Sequence, residues 1–389
     1  MTIGDEILKR RVKKVLPDKE GLKALMHKRK VKLYQGFDAT GGRLHLGHSV
    51  GIRKLMDFAN AGHEVIFLFG TGTVLVGDPS QRDTGRALIT PDEVEKNIEG
   101  WKKQVSPLVD WDKVKIQKNG DWLTKLKLQD IINIASHISA VQLFKREMFQ
   151  RRLTKGDTVW YHETMYPLLQ GYDSVEMDVD LEIGGTDQEF NMLIGRELLK
   201  KMKGKEKYVL TTPMIMGTDG KQMSKTSGNC VWLDDTPSDM YGKLLSIPDT
   251  QIISYMSNVT DIPLDEIGET EKNLQNGRFN PLDAKKKLAL AVVTQLHSEG
   301  DAKKAQAYFE KTFQEGKLPV KGLEVRVENK INVIDAAAVS AGSKSEAKRL
   351  LTQNALDVNG KTITDPKEYL QVGDILKVGK KDFVKIVEK

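Results

Sequence analysis

Apolar and polar positions change period several times along the chain. The stretch "VKLYQGF" at 31–37 is rich in β-forming residues. In "LHLGHSVGIRKLMDFANAG" the apolar residues recur at helical spacing, and "EVIFLFG" is one continuous apolar run. Residues 31–69 therefore predict a strand, a helix and a strand, with Gly62 as the helix stop. Such a unit implies a right-handed crossover and a parallel sheet, whose ligands sit at the carboxyl ends of the strands. From about 91 to 165 the pattern predicts helices, the first opening on Pro91 with acidic residues in its first turn. "VDLEIGG" then predicts a strand and "DQEFNMLIGRELLKKM" a helix, a second passage from sheet to helix. "KYVLTTPMIMG" predicts another strand before "TDGKQMSKTSGN", a stretch of turn formers and lysines.

Beyond Pro237 the pattern is helical to about residue 318, and "EGKLPVKGLE" predicts a linker. The tail differs in kind. "GSKSEAKRLLTQNAL" predicts a short helix with Ser343 and Glu346 spaced as a capping box. "LDVNGKTIT" and "DILKVGKKDFVKIVE" predict two hairpins, the first turning at Asn-Gly. Neither repeats nor low-complexity tracts occur.

Length and composition narrow this picture. At 389 residues the chain exceeds one compact core, so two or three domains are expected. Charged residues at 29% and aromatics at 6% fit a soluble globular protein. Apolar runs such as Val65 to Phe69 are too short for a bilayer, and the charged opening residues lack a signal core. A cytoplasmic protein without a membrane segment is expected. Cys230 is the only cysteine, which excludes internal disulfides and thiolate clusters. A net charge of +6 permits a polyanionic partner without requiring one.

Only 7 histidines occur, yet His45 and His48 flank Gly47 at the start of the first helix. Zinc would need further ligands, and neither Cys nor Glu stands beside them. Ordinary helix filling leaves Gly47 unexplained, since a helix-interior glycine costs roughly 0.5–1 kcal/mol relative to alanine. A third reading is an anion at the helix N-terminus, where free N–H groups point outward and residues three apart share a face. "KQMSKTSGN" at 221–229 carries two lysines; alone it reads as a solvated turn, although a lysine's long stem suits a moving pyrophosphate.

"HLGH" followed 180 residues later by "MSKT" resembles the two signatures of class I aminoacyl-tRNA synthetases. "YQGFDATGGRLHLGH", "VGDPSQR", "YPLLQGYDSV" and "IGGTDQEFN" resemble tyrosyl-tRNA synthetases in particular, and the tail from about Lys330 is similar to the S4-type RNA-binding domain of bacterial members. The resemblance spans the chain with its motifs in order. It implies an α/β fold: a Rossmann-like parallel-sheet catalytic domain over 1–235 with a helical insertion near 104–165, a helical anticodon-binding domain over 236–322, and a small α+β S4-like domain over 330–389. The implied reaction activates tyrosine with ATP, releases pyrophosphate, and transfers tyrosine to tRNA(Tyr). ATP enters as a substrate, Mg2+ accompanies it without a protein metal site, and a homodimer is expected.

The resemblance also implies residue roles. His45, His48 and Thr40 contact ATP phosphates, with Gly47 allowing close approach. Lys225, within Met223, Ser224 and Thr226, stabilises the leaving pyrophosphate, and Arg82 and Arg86 reach the same group. The usual first lysine of that signature is replaced by Gln222, with Lys221 one place earlier. Tyr34 and Asp173 hydrogen-bond the substrate phenol. Tyr166, Gln170 and Asp78 hold its ammonium and backbone, with Gln188 at the tyrosyl or adenylate moiety. Tyr166, Gln170 and Asp173 fall on one helix face by their spacing. Gly185 permits nucleotide approach, Asp187 accepts from ribose, and Gly36 and Asp38 line the same pocket. In the tail Lys344, Lys348 and Arg349 are candidates for RNA phosphates. Rival readings are a tryptophanyl-tRNA synthetase, a small-molecule nucleotidyltransferase, and a non-catalytic RNA-binding or RNA-folding protein on the same fold.

Overall fold

In the computed structural model, the structure describes residues 6–77, 90–223, 227–311, 323–379 and 382–389. The chain divides into two compact units, Met1–Ala302 and Lys303–Lys389.

The first unit is built on a six-stranded sheet of β1 (Lys14–Leu16), β2 (Lys32–Phe37), β3 (Glu64–Phe69), β4 (Val114–Lys118), β5 (Leu181–Gly185) and β6 (Tyr208–Thr212). Their order is β1-β6-β5-β2-β3-β4, with β1 antiparallel and the other pairings parallel. The strand–helix–strand expectation holds: helix α1 (Leu46–Asn60) joins β2 to β3, and Gly62 ends it with φ +82°. α2 (Pro91–Val105), capped reciprocally by Thr90 and Glu93, leads to β4. α3 (Tyr161–Glu176) precedes β5, and α4 (Glu189–Lys203) joins β5 to β6.

β2 is the switch point of this sheet, because β3 lies on one side of it and β5 on the other. Its ladder to β3 runs from Lys32↔Glu64 to Phe37↔Phe69. Its ladder to β5 holds only Leu33↔Leu181 and Tyr34↔Glu182. The carboxyl halves of β2 and β5 therefore part, and the crevice of an open α/β sheet lies at such a parting.

α1 is buried along nearly its whole length, including Arg53 and Lys54. It has β2, β3 and β5 on one side and the helix Ile252–Val259 on another. The N-terminal segment ties that helix down. Arg10 and Arg11 donate to the carbonyls of Met256, Ser257, Asn258 and Thr260, carbonyls that a helix end leaves without intrahelical partners. Arg11 also pairs with Asp57 and Asp261, and Lys54 donates to Ile7 O (2.5 Å) and pairs with Asp57 (2.8 Å).

The second unit carries a five-stranded sheet and a two-stranded ladder under the helices Val333–Ala341 and Lys344–Thr352. Its core joins Val333, Ala337, Leu351, Leu376, Val384 and Ile386. Both expected hairpins form, Leu356–Val358 against Lys361–Thr362 and Ile375–Val378 against Asp382–Glu388, the first with Asn359 and Gly360 at positive φ.

Three expectations need correction. The stretch 91–165 is not wholly helical, because β4 lies within it as the edge strand; its apolar alternation covers only five residues. Ser343 caps its helix by accepting from Glu346 N–H (3.1 Å), but Glu346 turns to Arg349 rather than back to the cap. The helices Lys19–Lys28 and Val333–Ala341 were not anticipated.

The buried Lys54 makes stability depend on pH. Burial lowers its pKa from 10.5 to about 8, against the raising pull of Asp57. The unfolded chain holds this proton up to about 10.5 while the folded chain releases it near 8, so stability rises with pH between those values. Urea unfolding at pH 7 and pH 9.5 should show the wild type gaining on Lys54→Met by up to about 1.4 kcal/mol per pH unit. A difference independent of pH would exclude this role.

Candidate functional site

The first histidine is the N-cap of α1, a position the sequence alone did not reveal. Its Nδ1 accepts from the Gly47 N–H (3.2 Å), and His48 Nδ1 accepts from the His45 N–H (3.2 Å). The ring centroids lie 3.9 Å apart and both rings are half-buried. A neutral imidazole whose Nδ1 accepts carries its proton on Nε2, a donor of the kind phosphate oxygens take. Gly47 has a steric explanation: a Cβ there would lie 2.9 Å from the His45 ring atoms Cε1 and Nδ1. The histidines stand at the N-cap and in the first turn of α1, but the N–H groups of Leu46, Gly47 and His48 donate to Val231 O, His45 Nδ1 and His45 O, so the expectation of free N–H groups at this helix start needs correction.

A short seam joins this cap to the lysine-bearing loop. Leu46 N–H donates to Val231 O (2.9 Å) and Leu233 N–H to Leu44 O (2.8 Å), pairing His45 with Trp232. Upstream, Asn229 is buried and staples the loop base, donating to Asp219 Oδ1 (2.8 Å) and Gln222 O (3.0 Å). Lys221 and Gln222 are exposed, and Met223 is buried. Ser224, Lys225 and Thr226 lie outside the described residues, as do Asp78, Arg82 and Arg86.

The parting of β2 from β5 brings the other predicted residues together. Asp38, just past β2, accepts from Thr73 Oγ1 (2.7 Å) and from the Tyr166 hydroxyl (3.0 Å). Thr40 N–H donates to Asp38 O (2.7 Å). Above Gly36, at the parting end of β2, a Cβ would meet nothing closer than Leu68 at 3.9 Å. At the end of β5, a Cβ on Gly185 would collide with the Asp187 carboxylate, so this glycine lets Asp187 fold back. Gln188 Nε2 donates to Asp187 Oδ2 (3.3 Å).

Tyr166, Gln170 and Asp173 share one face of α3. Asp173 is buried and accepts from Trp122 Nε1 (2.8 Å) and Asn119 Nδ2 (3.0 Å). Burial pushes its carboxyl well above the usual range, against those two hydrogen bonds. Tyr34 is fully buried, and its hydroxyl meets Ser174 Oγ at 2.9 Å. Burial first, then the Glu182 and Asp173 carboxylates, push that phenol above its ordinary value, so it stays a hydroxyl near neutral pH. Asn119, Trp122 and Ser174 were missed by the sequence reading. "NGDWLTK" carries no motif, and Ser174 is an ordinary small residue until folding sets it beside Tyr34.

Two of the three tail candidates carry ion pairs within their own unit: Lys344 with Asp335 (2.8 Å) and Arg349 with Glu346 (2.5 Å). Lys348 lies on the same helix. Among the described residues no group of three or more His, Cys, Asp or Glu is placed to hold a metal ion, and no helix is long and apolar enough to cross a membrane.

The family described as tRNA synthetases class I (W and Y) matches residues 26–314. The tyrosine–tRNA ligase of Dehalococcoides mccartyi is 39% identical over 388 residues, covering 98% of each chain. That of Thermotoga maritima is 38% identical over 386 residues, covering 98% of this chain and 96% of its own. Among solved structures, a C-terminally truncated mitochondrial tyrosyl-tRNA synthetase of Aspergillus nidulans superposes with TM-score 0.68 at 22% identity, over 80% of this chain and 94% of that one. The Archaeoglobus fulgidus tyrosyl-tRNA synthetase complexed with L-tyrosine gives 0.63 at 22%, over 78% and 99%. These two likenesses show the fold.

The contact between Gly47 and the His45 ring generates a test. Gly47→Ala should displace that ring and weaken ATP binding by about tenfold, or ~1.4 kcal/mol, in calorimetry. The melting temperature should stay within a few degrees. Unchanged ATP affinity would show that the ring position is immaterial.

Proposed function

The chain belongs to the class I tryptophanyl- and tyrosyl-tRNA synthetase family, and from that premise we infer that it is a tyrosine–tRNA ligase. The observation that carries this reading is likeness to tyrosine–tRNA ligases along 98% of the chain. The buried Tyr34 and Asp173 support tyrosine over tryptophan, since a phenol can donate to a carboxylate and accept from a hydroxyl at once, whereas an indole N–H only donates.

The tyrosine carboxylate attacks the α-phosphate of ATP; the Pα–O bond to pyrophosphate breaks, leaving tyrosyl-adenylate. A terminal ribose hydroxyl of tRNA(Tyr) then attacks the acyl carbon and AMP departs. Neither step needs a covalent enzyme intermediate, so positioning and charge stabilisation supply the catalysis. His45 and His48, with Thr40, donate to the phosphates at the α1 N-terminus. Lys225, with Arg82 and Arg86, neutralises the departing pyrophosphate, and Ser224, Thr226 and Met223 shape that loop. Mg2+ travels with the ATP phosphates. Asp187 accepts from ribose, and Gly36, Asp38 and Gly185 border the adenylate.

Tyr34 and Asp173 bind the substrate phenol, while Tyr166, Gln170 and Asp78 hold its ammonium end, with Gln188 between. Phenylalanine would bring no hydroxyl to the buried Asp173 and Tyr34 and would leave their remaining hydrogen-bonding capacity unmet, and tyrosyl-tRNA synthetases are themselves the usual illustration of that discrimination.

The helical residues from 236 serve the anticodon side of the tRNA, and Lys344, Lys348 and Arg349 contact its phosphates without reading sequence. A homodimer forms through the helical insertion. Seven of the fourteen exposed large apolar side chains among the described residues fall within its bounds: Ile116 on β4, and Leu128, Ile132, Val141, Leu153, Trp160 and Tyr161. The compartment is the cytoplasm.

ATP–pyrophosphate exchange, run with each of the twenty amino acids and no tRNA, should respond to tyrosine alone. Exchange with tryptophan, or none at all, would reject the reading. Asp173→Asn should raise the tyrosine KM by about tenfold or more, as expected for loss of a buried charge-assisted hydrogen bond. Unchanged tyrosine affinity would remove Asp173 from the phenol site. Lys225→Ala should slow adenylate formation at least about a hundredfold with little change in tyrosine binding, because its contact strengthens in the transition state. Equal losses in rate and binding would contradict that role.

A further inference from the structure

Beneath the parting of β2 and β5 lies a buried ion pair to which the reaction above assigns no task. Lys207, just before β6, and Glu182, on β5, are 0% and 1% exposed. The Lys207 ammonium pairs with Glu182 Oε2 and donates to Ser174 Oγ (2.8 Å). Ser174 Oγ in turn meets the Tyr34 hydroxyl at 2.9 Å and lies 3.4 Å from Glu182 Oε2. The other Glu182 oxygen accepts from Gln170 Nε2 (3.0 Å). Gln170 Oε1 accepts from Asn191 Nδ2 (2.9 Å), which also donates to Gln188 Oε1 (3.1 Å).

Space has been made for this arrangement. A Cβ on Gly195 would lie 2.6 Å from Lys207 Nζ and 3.0 Å from Ser174 Oγ, so only a glycine there leaves room for the ammonium. Stability alone does not account for it, because a well-packed apolar pair often matches or exceeds a buried ion pair. What distinguishes this pair is where its hydrogen bonds end. One branch reaches Tyr34, at the phenol end of the proposed tyrosine pocket; the other reaches Gln170, at the ammonium end.

Donor and acceptor chemistry gives each branch a direction. An ammonium only donates and a carboxylate only accepts. Ser174 Oγ, accepting a hydrogen bond from Lys207, keeps one lone pair and its own hydrogen for Tyr34 and Glu182. Gln170 has its NH2 on a carboxylate and its carbonyl on the Asn191 NH2. Turning the amide over would set oxygen against oxygen and NH2 against NH2, so Glu182 and Asn191 lock its orientation.

We propose that the buried Lys207–Glu182 pair is a positioning device for tyrosine recognition, holding the Tyr34 hydroxyl through Ser174 and the Gln170 amide directly. This rests on the tyrosine–tRNA ligase reading. Neither residue touches substrate; each acts through a residue that does.

The test compares wild type, Ser174→Ala and the double variant Lys207→Met/Glu182→Gln in pyrophosphate exchange. The double variant removes both charges together, so no uncompensated ion is left inside, and Ser174→Ala cuts only the branch to Tyr34. Both should raise the tyrosine KM by about tenfold and lower the preference for tyrosine over phenylalanine by a similar factor, with the ATP KM within about twofold. A purely structural role would lower the melting temperature and leave the tyrosine KM and the preference unchanged. If the double variant does not fold, Ser174→Ala decides by the same two readouts. Wild-type exchange with tyrosine together with unchanged tyrosine KM and preference in the folded variants would overturn this inference alone. Absence of tyrosine exchange in the wild type would overturn the ligase reading and this inference with it.

Discussion

The early end of the ladder between β2 and β5 governs the rest of the catalytic unit. Pairing stops at Tyr34↔Glu182, while β2 stays paired to β3 as far as Phe37↔Phe69 and β5 to β6 as far as Gly185↔Thr212. Past that point the two strand ends carry Gly36 and Asp38 on one side and Gly185 and Asp187 on the other. Parallel strands joined by right-handed crossovers leave such a gap only where consecutive connections run to opposite sides. The helices that begin beside it, α1 and α4, therefore bring their first turns to the same crevice.

The same stop in the ladder sets Tyr34 beside Glu182, and a phenol next to a carboxylate in a dry interior must be provided for. Lys207 neutralises the carboxylate, Ser174 takes the phenol, and Gln170 and Asn191 fill what remains. Asp173, one residue from Ser174 and on a different side of the helix, is instead held by Asn119 and Trp122. Two carboxylates close together thus meet different surroundings. One has a fully buried cation, and the other has only neutral donors and a pKa pushed up by burial.

Much of this was legible in advance, and the reason lies in periodicity. The strands 32–37 and 64–69 and the helix between them have long, unmixed patterns, and Gly62 marks the stop at a positive φ that favours glycine. Helical spacing placed Tyr166, Gln170 and Asp173 on one face. β4 was not legible because five residues alternating Val and Ile with Lys and Gln resemble a helix surface as much as an edge strand. Nor were Asn119, Trp122, Ser174 and Lys207, whose proximity arises from strands and helices far apart in sequence.

The seam between Leu44–Leu46 and Val231–Leu233 bears on how the two signatures could act on one nucleotide. It is made of main-chain hydrogen bonds, so it does not depend on which side chains occupy these positions. One end of the seam is the His45 cap, and the chain running back from the other end reaches Asn229, buried and bonded to Asp219 and Gln222. Both anchors of the lysine-bearing stretch are thereby referred to the frame that holds the histidines. Any shift of α1 along its axis would be passed to the base of that stretch, and any shift of the base would be passed back to His45. On the proposed roles, a phosphate chain held at the α1 N-terminus and a lysine following its leaving end would need such a common reference, because transition-state stabilisation falls steeply with misplacement.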